Sequence, residues 1–212
     1  LKDFALITLA GATPNLLVAH PSLSAHTVKE LIALAKASPG KINFASSGLG
    51  TPAQLAGELF NTMAGVKLTH VPYKGAAPAL TDLLAGQVQL MFSTMPPSLP
   101  QVKAGKLKAI AVTSAKPSAL LPNLPTMAAS GLPGYEASSI SGFFVPAKTP
   151  ARIVGRLNQG IVKALREPSI AEKFLNVGAE PVGGTPQEFA ALIHKDLVLW
   201  RKVIKTAGVT PD

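Results

Sequence analysis

Residues 42–45 (INFA) form a short apolar run that passes through Ser46-Ser47-Gly48-Leu49-Gly50-Thr51-Pro52 into a stretch with Leu55, Leu59, Phe60 and Met63. The run reads as a strand. The spacing of the four apolar residues reads as one face of a helix. Thr51 suits an N-cap, Pro52 the first helical position, and Gln54 completes a Thr-x-x-Gln box. The same order recurs just downstream. Lys67 to Val71 (KLTHV) is a strand, Pro72-Tyr73-Lys74-Gly75 a turn, and Ala76 to Ala85 a helix with Leu80, Leu83 and Leu84 apolar. A chain that alternates strand and helix through such short turns is an α/β protein, with mainly parallel sheet expected.

The rest of the chain follows this alternation. Phe4 to Leu9 and Leu16 to Ala19 read as two short strands interrupted by Gly11 and Pro14. Thr27-Val28-Lys29-Glu30 is a capping box that opens a helix stopping near Gly40. Val88 to Phe92 is a strand that Pro96-Pro97 should break, and Leu107 to Thr113 is another. A Pro- and Gly-rich connection spans 116–134. Ser141 to Val145 is then a strand, and Pro150 to Arg166 and Pro168 to Val177 are helices. Thr185-Pro186-Gln187-Glu188 caps a last helix running to about Ala207.

Both repeated turns end a strand and begin a helix. The amides at a helix start have no intrahelical acceptor and carry the positive end of the helix dipole, so they suit a carboxylate or phosphate. In an open α/β sheet such turns lie at the carboxyl ends of strands, where ligands bind. Neither turn matches a nucleotide motif. Gly-x-Gly-x-x-Gly fails at Ala53, and no Lys-Ser/Thr follows. Read plainly, each is also an ordinary strand–helix turn.

Charge narrows the ligand. Twenty Lys and Arg stand against eleven Asp and Glu, a net +9. The basic residues are dispersed, with Arg201-Lys202 the one adjacent pair, and aromatics are 5%. That is poor material for a nucleic-acid surface. Leu31 to Tyr135 holds eight Lys and two acids, Glu58 and Asp82, a mildly positive field for a small anion. All four Arg lie at 152 or beyond, so the middle of the chain has no guanidinium for a bidentate clamp. Amides, hydroxyls and Lys74 are left to hold an anion there.

Enzyme chemistry finds little support. His20, His26, His70 and His194 are scattered, with no metal-binding His-Glu-x-x-His. No Gly-x-Ser-x-Gly elbow is present. Nothing in the spacing brings Ser46, Ser47 or Ser93 to His70, which reads as a structural strand residue. Cys is absent. No metal or cofactor is expected. The chain has neither an initiator Met nor a visible signal peptide and is expected to be part of a longer product.

Five segments, FASSGLGTPAQLAGELF (44–60), THVPYKGAAPALTDLLAGQVQLMF (69–92), LPQVKAGKLKAIAVTS (99–114), LPNLPTMAASGLPGYE (121–136) and VPAKTP (145–150), resemble in order the Bug family. These are TctC-like solute-binding receptors of tripartite tricarboxylate transporters. The resemblance implies a type II periplasmic binding fold of two α/β lobes closing on a small carboxylate, which passes to membrane permease subunits. It implies a periplasmic, exported protein that is not an enzyme and binds no nucleic acid. Carried over by position, Ser46, Ser47 and Thr51 form a first contact loop, Tyr73, Lys74, Gly75 and Ala76 a second, and Ser93 is a further contact. Gln54 stands where many relatives carry His.

By the same resemblance lobe two spans 20–140, and lobe one is represented by 1–19 and 141–212. Family members are about half as long again and begin with a strand and a Pro-Pro-Gly-Gly type loop that this chain lacks. Lobe one is therefore expected to be incomplete, and the chain to self-associate through exposed sheet edge and apolar surface. The alternative reading is the effector-sensing domain of a LysR-like regulator. A small hydrolase using Ser47 or Ser93 is a third.

Overall fold

The computed structural model describes residues 2–209. Residue 1 and residues 210–212, which belong to the ranges expected for lobe one, lie outside the described residues. The chain divides into two compact units. One comprises the residues up to Thr13 with Ser139–Trp200, the other Pro14–Ser138 with the residues from Arg201.

The first element is a single strand, β1 (Phe4–Ala19), not the two short strands expected. Its partners explain how it survives Pro14. Gly11 and Ala12 pair with β7 (Glu180–Pro181), and Asn15 to Ala19 pair with β4 (Leu90–Thr94). Pro14 sits between these ladders, where its missing amide costs no bond in either.

In the unit holding Pro14–Ser138, β2 (Asn43–Ser46), β3 (Thr69–Pro72), β4, the second half of β1 and β5 (Lys108–Val112) form a sheet in the order β3-β2-β4-β1-β5. Helices α1 (Val28–Ala37), α2 (Pro52–Ala64), α3 (Ala76–Leu84) and α4 (Met95–Lys103) connect the strands. β2 runs parallel to β3 and β4, whereas β1 is antiparallel to both β4 and β5. The sheet is mixed rather than mainly parallel. Residues 14–19 are buried along their whole length, so the hydrophobic pattern carried no sign of strand direction.

Both faces of this sheet are covered. Leu16, Val18, Ala45 and Met91 pack with Ala79 and Leu83 of α3 on one side. On the other, Phe44 meets Phe92 edge-on at 6.1 Å, and Phe60 of α2 lies 6.4 Å from Phe92. Each buried ring contributes about 1.5–3 kcal/mol. Gly57 sets the closeness of α2, because a Cβ there would collide with the Phe44 ring. The Tyr135 hydroxyl donates to the Ala56 carbonyl at 2.8 Å and anchors the end of the long connection.

Helix α4 was not expected. Pro96 and Pro97 open it instead of merely ending the strand, since the first helical turn needs no proline amide. Met95 and Ser98 are the buried side.

The other unit holds the first half of β1, β6 (Ser138–Pro146), β7, α5 (Ala151–Leu165), α6 (Pro168–Asn176) and α7 (Pro186–Ala207) as far as Trp200. Asn158 of α5 donates to the carbonyls of Ile7 and Gly184 at 2.9 and 2.8 Å. Its apolar surface is poorly covered. Leu165 is the one buried residue of α5, while Ile153, Leu157, Phe143 and Phe144 are exposed.

Candidate ligand-binding site

The loops after β2 and β3 are joined through their backbones. The Tyr73 amide donates to the Ser46 carbonyl at 3.0 Å, and the Gly75 amide to the Ser47 carbonyl at 3.1 Å. Residues 46–51 and 73–75 thus form one platform at the carboxyl end of two parallel strands, leading into α2 and α3. Strand register dictates this arrangement, with Ser46 opposite Pro72.

The first loop is closed by its own side chains. Thr51 caps α2 as expected, accepting from the Gln54 amide at 3.5 Å and donating to the Gly48 carbonyl at 2.8 Å. Gln54 is 4% exposed, and its Oε1 accepts from the Gly50 amide at 2.7 Å. Ser46 is fully buried. Its hydroxyl accepts from the Gly48 amide at 3.2 Å and also meets the Gly48 carbonyl at 2.9 Å and His70 Nε2 at 2.6 Å. One proton and two lone pairs are all used by those partners. Ser46 therefore braces the loop from beneath.

His70 stacks on Phe44 with ring centroids 4.9 Å apart. Burial holds its pKa below the ordinary imidazole value, so the ring is neutral at neutral pH. Desolvation is the sole cause of that shift, and among the described residues no carboxylate hydrogen-bonds the ring. A Ser–His contact without an orienting third group is not a nucleophilic triad.

The second loop is the more open one. Gly75, at φ +117°, stands at the N-cap of α3 in a backbone region that favours glycine, and it provides no capping side chain. The first amides of α3, at Ala76 and Ala77, consequently have no side-chain acceptor, and Pro78 has no amide at all. The exposed Lys74 makes no ion pair or hydrogen bond among the described residues. Tyr73 is committed elsewhere: its hydroxyl donates to Asp82 Oδ2 on α3 at 2.8 Å. Desolvation, then the bond to Asp82, raise its pKa.

The eight predicted residues thus divide by role. Ser47, Lys74 and Ala76 present the platform's open groups, and the Ser47 hydroxyl has no partner among the described residues, whereas the Gly75 amide is taken by the Ser47 carbonyl and joins the two loops. Ser46, Thr51 and Tyr73 are at the same platform, but their hydroxyls hold the loops in shape. Ser93 is apart. It is 1% exposed, lies opposite Leu16 on the α3 side of the sheet, and is bonded to Ser98 at 2.6 Å. His70, Asp82 and Gln54's bond to Gly50 complete the scaffold. The capping box signalled Gln54; His70 and Asp82 had no local signal.

The other unit has an open pocket of about 640 Å³ lined in part by Asn158, Arg166, Glu188 and Phe189. It contains none of the predicted residues. Asn158 is occupied by two carbonyls, and Glu188 by Thr185.

A mixed α/β sheet with helix-opening loops joined at the carboxyl ends of its parallel strands fits a periplasmic binding fold. The comparisons agree. Residues 1–209 match the model of the tripartite tricarboxylate transporter family receptors, and the chain belongs to that family. It is 38% identical over 204 residues to the UPF0065 protein in the tcbD-tcbE intergenic region of Pseudomonas sp. strain P51, covering 96% of this chain and 61% of the relative. It is 36% identical over 208 residues to protein BugT of Bordetella pertussis, covering 98% and 64%. Among solved structures, R. palustris Rpa4515 with adipate shares 40% identity at a TM-score of 0.81, covering all of this chain and 71% of that one. MatC from Rhodopseudomonas palustris with bound malate shares 27% at 0.74, covering 95% and 69%. The chain therefore spans 61–64% of these two curated relatives. The family is one of receptors, not enzymes.

Proposed function

We propose that this chain is the binding portion of a periplasmic receptor that captures a small carboxylate and delivers it to the membrane permease of a tripartite tricarboxylate-type transporter. The observation that carries this reading is the platform of residues 46–51 and 73–76. Two cross-linked loops there open into two helix starts, one of them uncapped, beside an unpaired Lys74. Ser47, Lys74 and Ala76 contact the carboxylate, while Ser46, Thr51, Tyr73 and Gly75 shape the loops. Ser93 supports the sheet from its other face. Amides dominate over the ammonium, in keeping with a region that lacks Arg.

Support also comes from the adipate and malate named for two similar structures. In this reading the unit containing 14–138 is lobe two, and the remainder belongs to lobe one. A receptor is favoured over the regulator domain because the family match runs along 1–209. The 212-residue chain by itself is further proposed to self-associate through the apolar residues exposed on α5 and β6.

Calorimetry with adipate, malate, succinate and a neutral sugar, on the complete gene product containing this sequence, tests the proposal. Saturable binding of at least one carboxylate is expected. Binding of the sugar alone, or of nothing, overturns it. Osmotic-shock fractionation of the native host should release the product with the periplasm.

A further inference from the structure

Among the described residues, one buried side-chain nitrogen or oxygen has no hydrogen-bond partner: Nδ2 of Asn15. Such a group is costly. An enclosed donor without an acceptor has given up its water without replacement, and its presence in a folded protein calls for an explanation.

The surroundings of Asn15 make a packing accident a poor explanation. Its backbone is held on both sides. The Asn15 amide donates to Thr113 Oγ1 at 2.7 Å, and the Thr113 amide donates to the Asn15 carbonyl at 2.9 Å. The residue is only 4% exposed. A carboxamide with no protein partner is thus mounted on a fixed, central strand.

Register shows where it is mounted. Asn15 lies opposite Thr94, the last residue of β4. β4 is parallel to β2, which ends at Ser46. Asn15 consequently stands at the same carboxyl edge as the platform. It also stands on the same face. Asn15 and Leu17 lie opposite Thr94 and Phe92, while Phe44 lies opposite Leu90. Side chains two apart share a face, so Asn15 is on the side of the sheet that carries Phe44 and α2. Two strand spacings, about 10 Å in all, separate β1 from β2.

We infer that Asn15 is a further ligand-contact residue, whose carboxamide donates to a carboxylate oxygen of the bound acid. A free carboxamide at a helix-bearing sheet edge complements the platform's open groups with a side-chain donor from a different strand. The terminal torsion of an Asn is soft, so its NH2 group turns to the ligand at little cost. The inference rests on the receptor reading above.

The test is calorimetry on the complete gene product with the carboxylate that the unmodified protein binds best among adipate, malate and succinate. Thermal melts of the ligand-free proteins run alongside. Asn15→Leu is expected to weaken binding at least tenfold while leaving the ligand-free melting temperature unchanged or higher, because it removes an unsatisfied donor. Asn15→Ser, a smaller and still polar change, should also weaken binding and serves if the Leu variant does not fold. Binding within twofold of the unmodified protein in a folded variant overturns the role of Asn15 and makes an internal water its partner. Failure of the unmodified protein to bind any of the three acids strikes the receptor reading instead.

Discussion

Lys74 and His70 illustrate how differently two basic residues serve the same platform. Lys74 is exposed and unpaired, so its ammonium remains largely hydrated and screened when an anion arrives. Lys74→Ala should therefore weaken carboxylate binding by less than about 2 kcal/mol, below the upper range for a charge-assisted hydrogen bond. Calorimetry checks this, and a larger loss would mean that the ammonium, not the amides, dominates. His70 acts from below, through Ser46. Its pKa is lowered by burial, so on acidification the unfolded chain takes up this proton before the folded one. The contribution is fully present above the unfolded imidazole value, about 6.5, and is lost as pH falls from there toward the depressed folded value. Denaturant midpoints from pH 7.5 to 5.5 should fall more steeply for the unmodified protein than for His70→Gln. Parallel curves would show that His70 does not titrate differently in the two states.

At the scale of elements, the loops are shaped by caps. Thr51 holds α2 and the Gly48 carbonyl together. Thr51→Ala should cost about 1 kcal/mol of stability and, by loosening residues 48–50, should weaken carboxylate binding too; denaturant melts and titrations read the two effects. Such caps were legible because they are local: a side chain bonds an amide three residues away whatever else the chain does. Thr27, Thr51 and Thr185 all accept from the amide three residues on, as their spacing implied. Elements that depend on distant partners were not legible. Gly11 and Pro14 looked like breaks, yet β1 runs through both because different strands pair with its two halves. Pro96 and Pro97 looked like an ending and became a helix start. The two-residue β7 exists through its pairing with β1.

At the scale of the molecule, the two units differ in how well they are covered. The unit of residues 14–138 has apolar layers on both faces of its sheet. The other leaves Phe143, Phe144, Ile153 and Leu157 at 39–47% exposure. Ile153 and Leu157, four residues apart on α5, line one exposed surface, and large apolar side chains left in water favour association. The 212-residue chain on its own is expected to elute as a dimer or larger species in light-scattering chromatography, and Leu157→Gln with Phe144→Ser should shift it toward monomer. A monodisperse monomer without these changes would refute this.

The alternation of strands and helices, the positions of the capped helix starts and the choice of an amide-rich, Arg-free middle region were determined by the sequence alone, because periodicity and capping act over a few residues. Its resemblance to a receptor family likewise rested on motifs in order. The direction of β1, the joining of two loops through Tyr73 and Gly75, the bracing of Ser46 by His70, the placing of Ser93 on the opposite face and the orphaned carboxamide of Asn15 were decided only by the tertiary structure. Each depends on which strands become neighbours and in what register, and those pairings form between residues far apart in the chain.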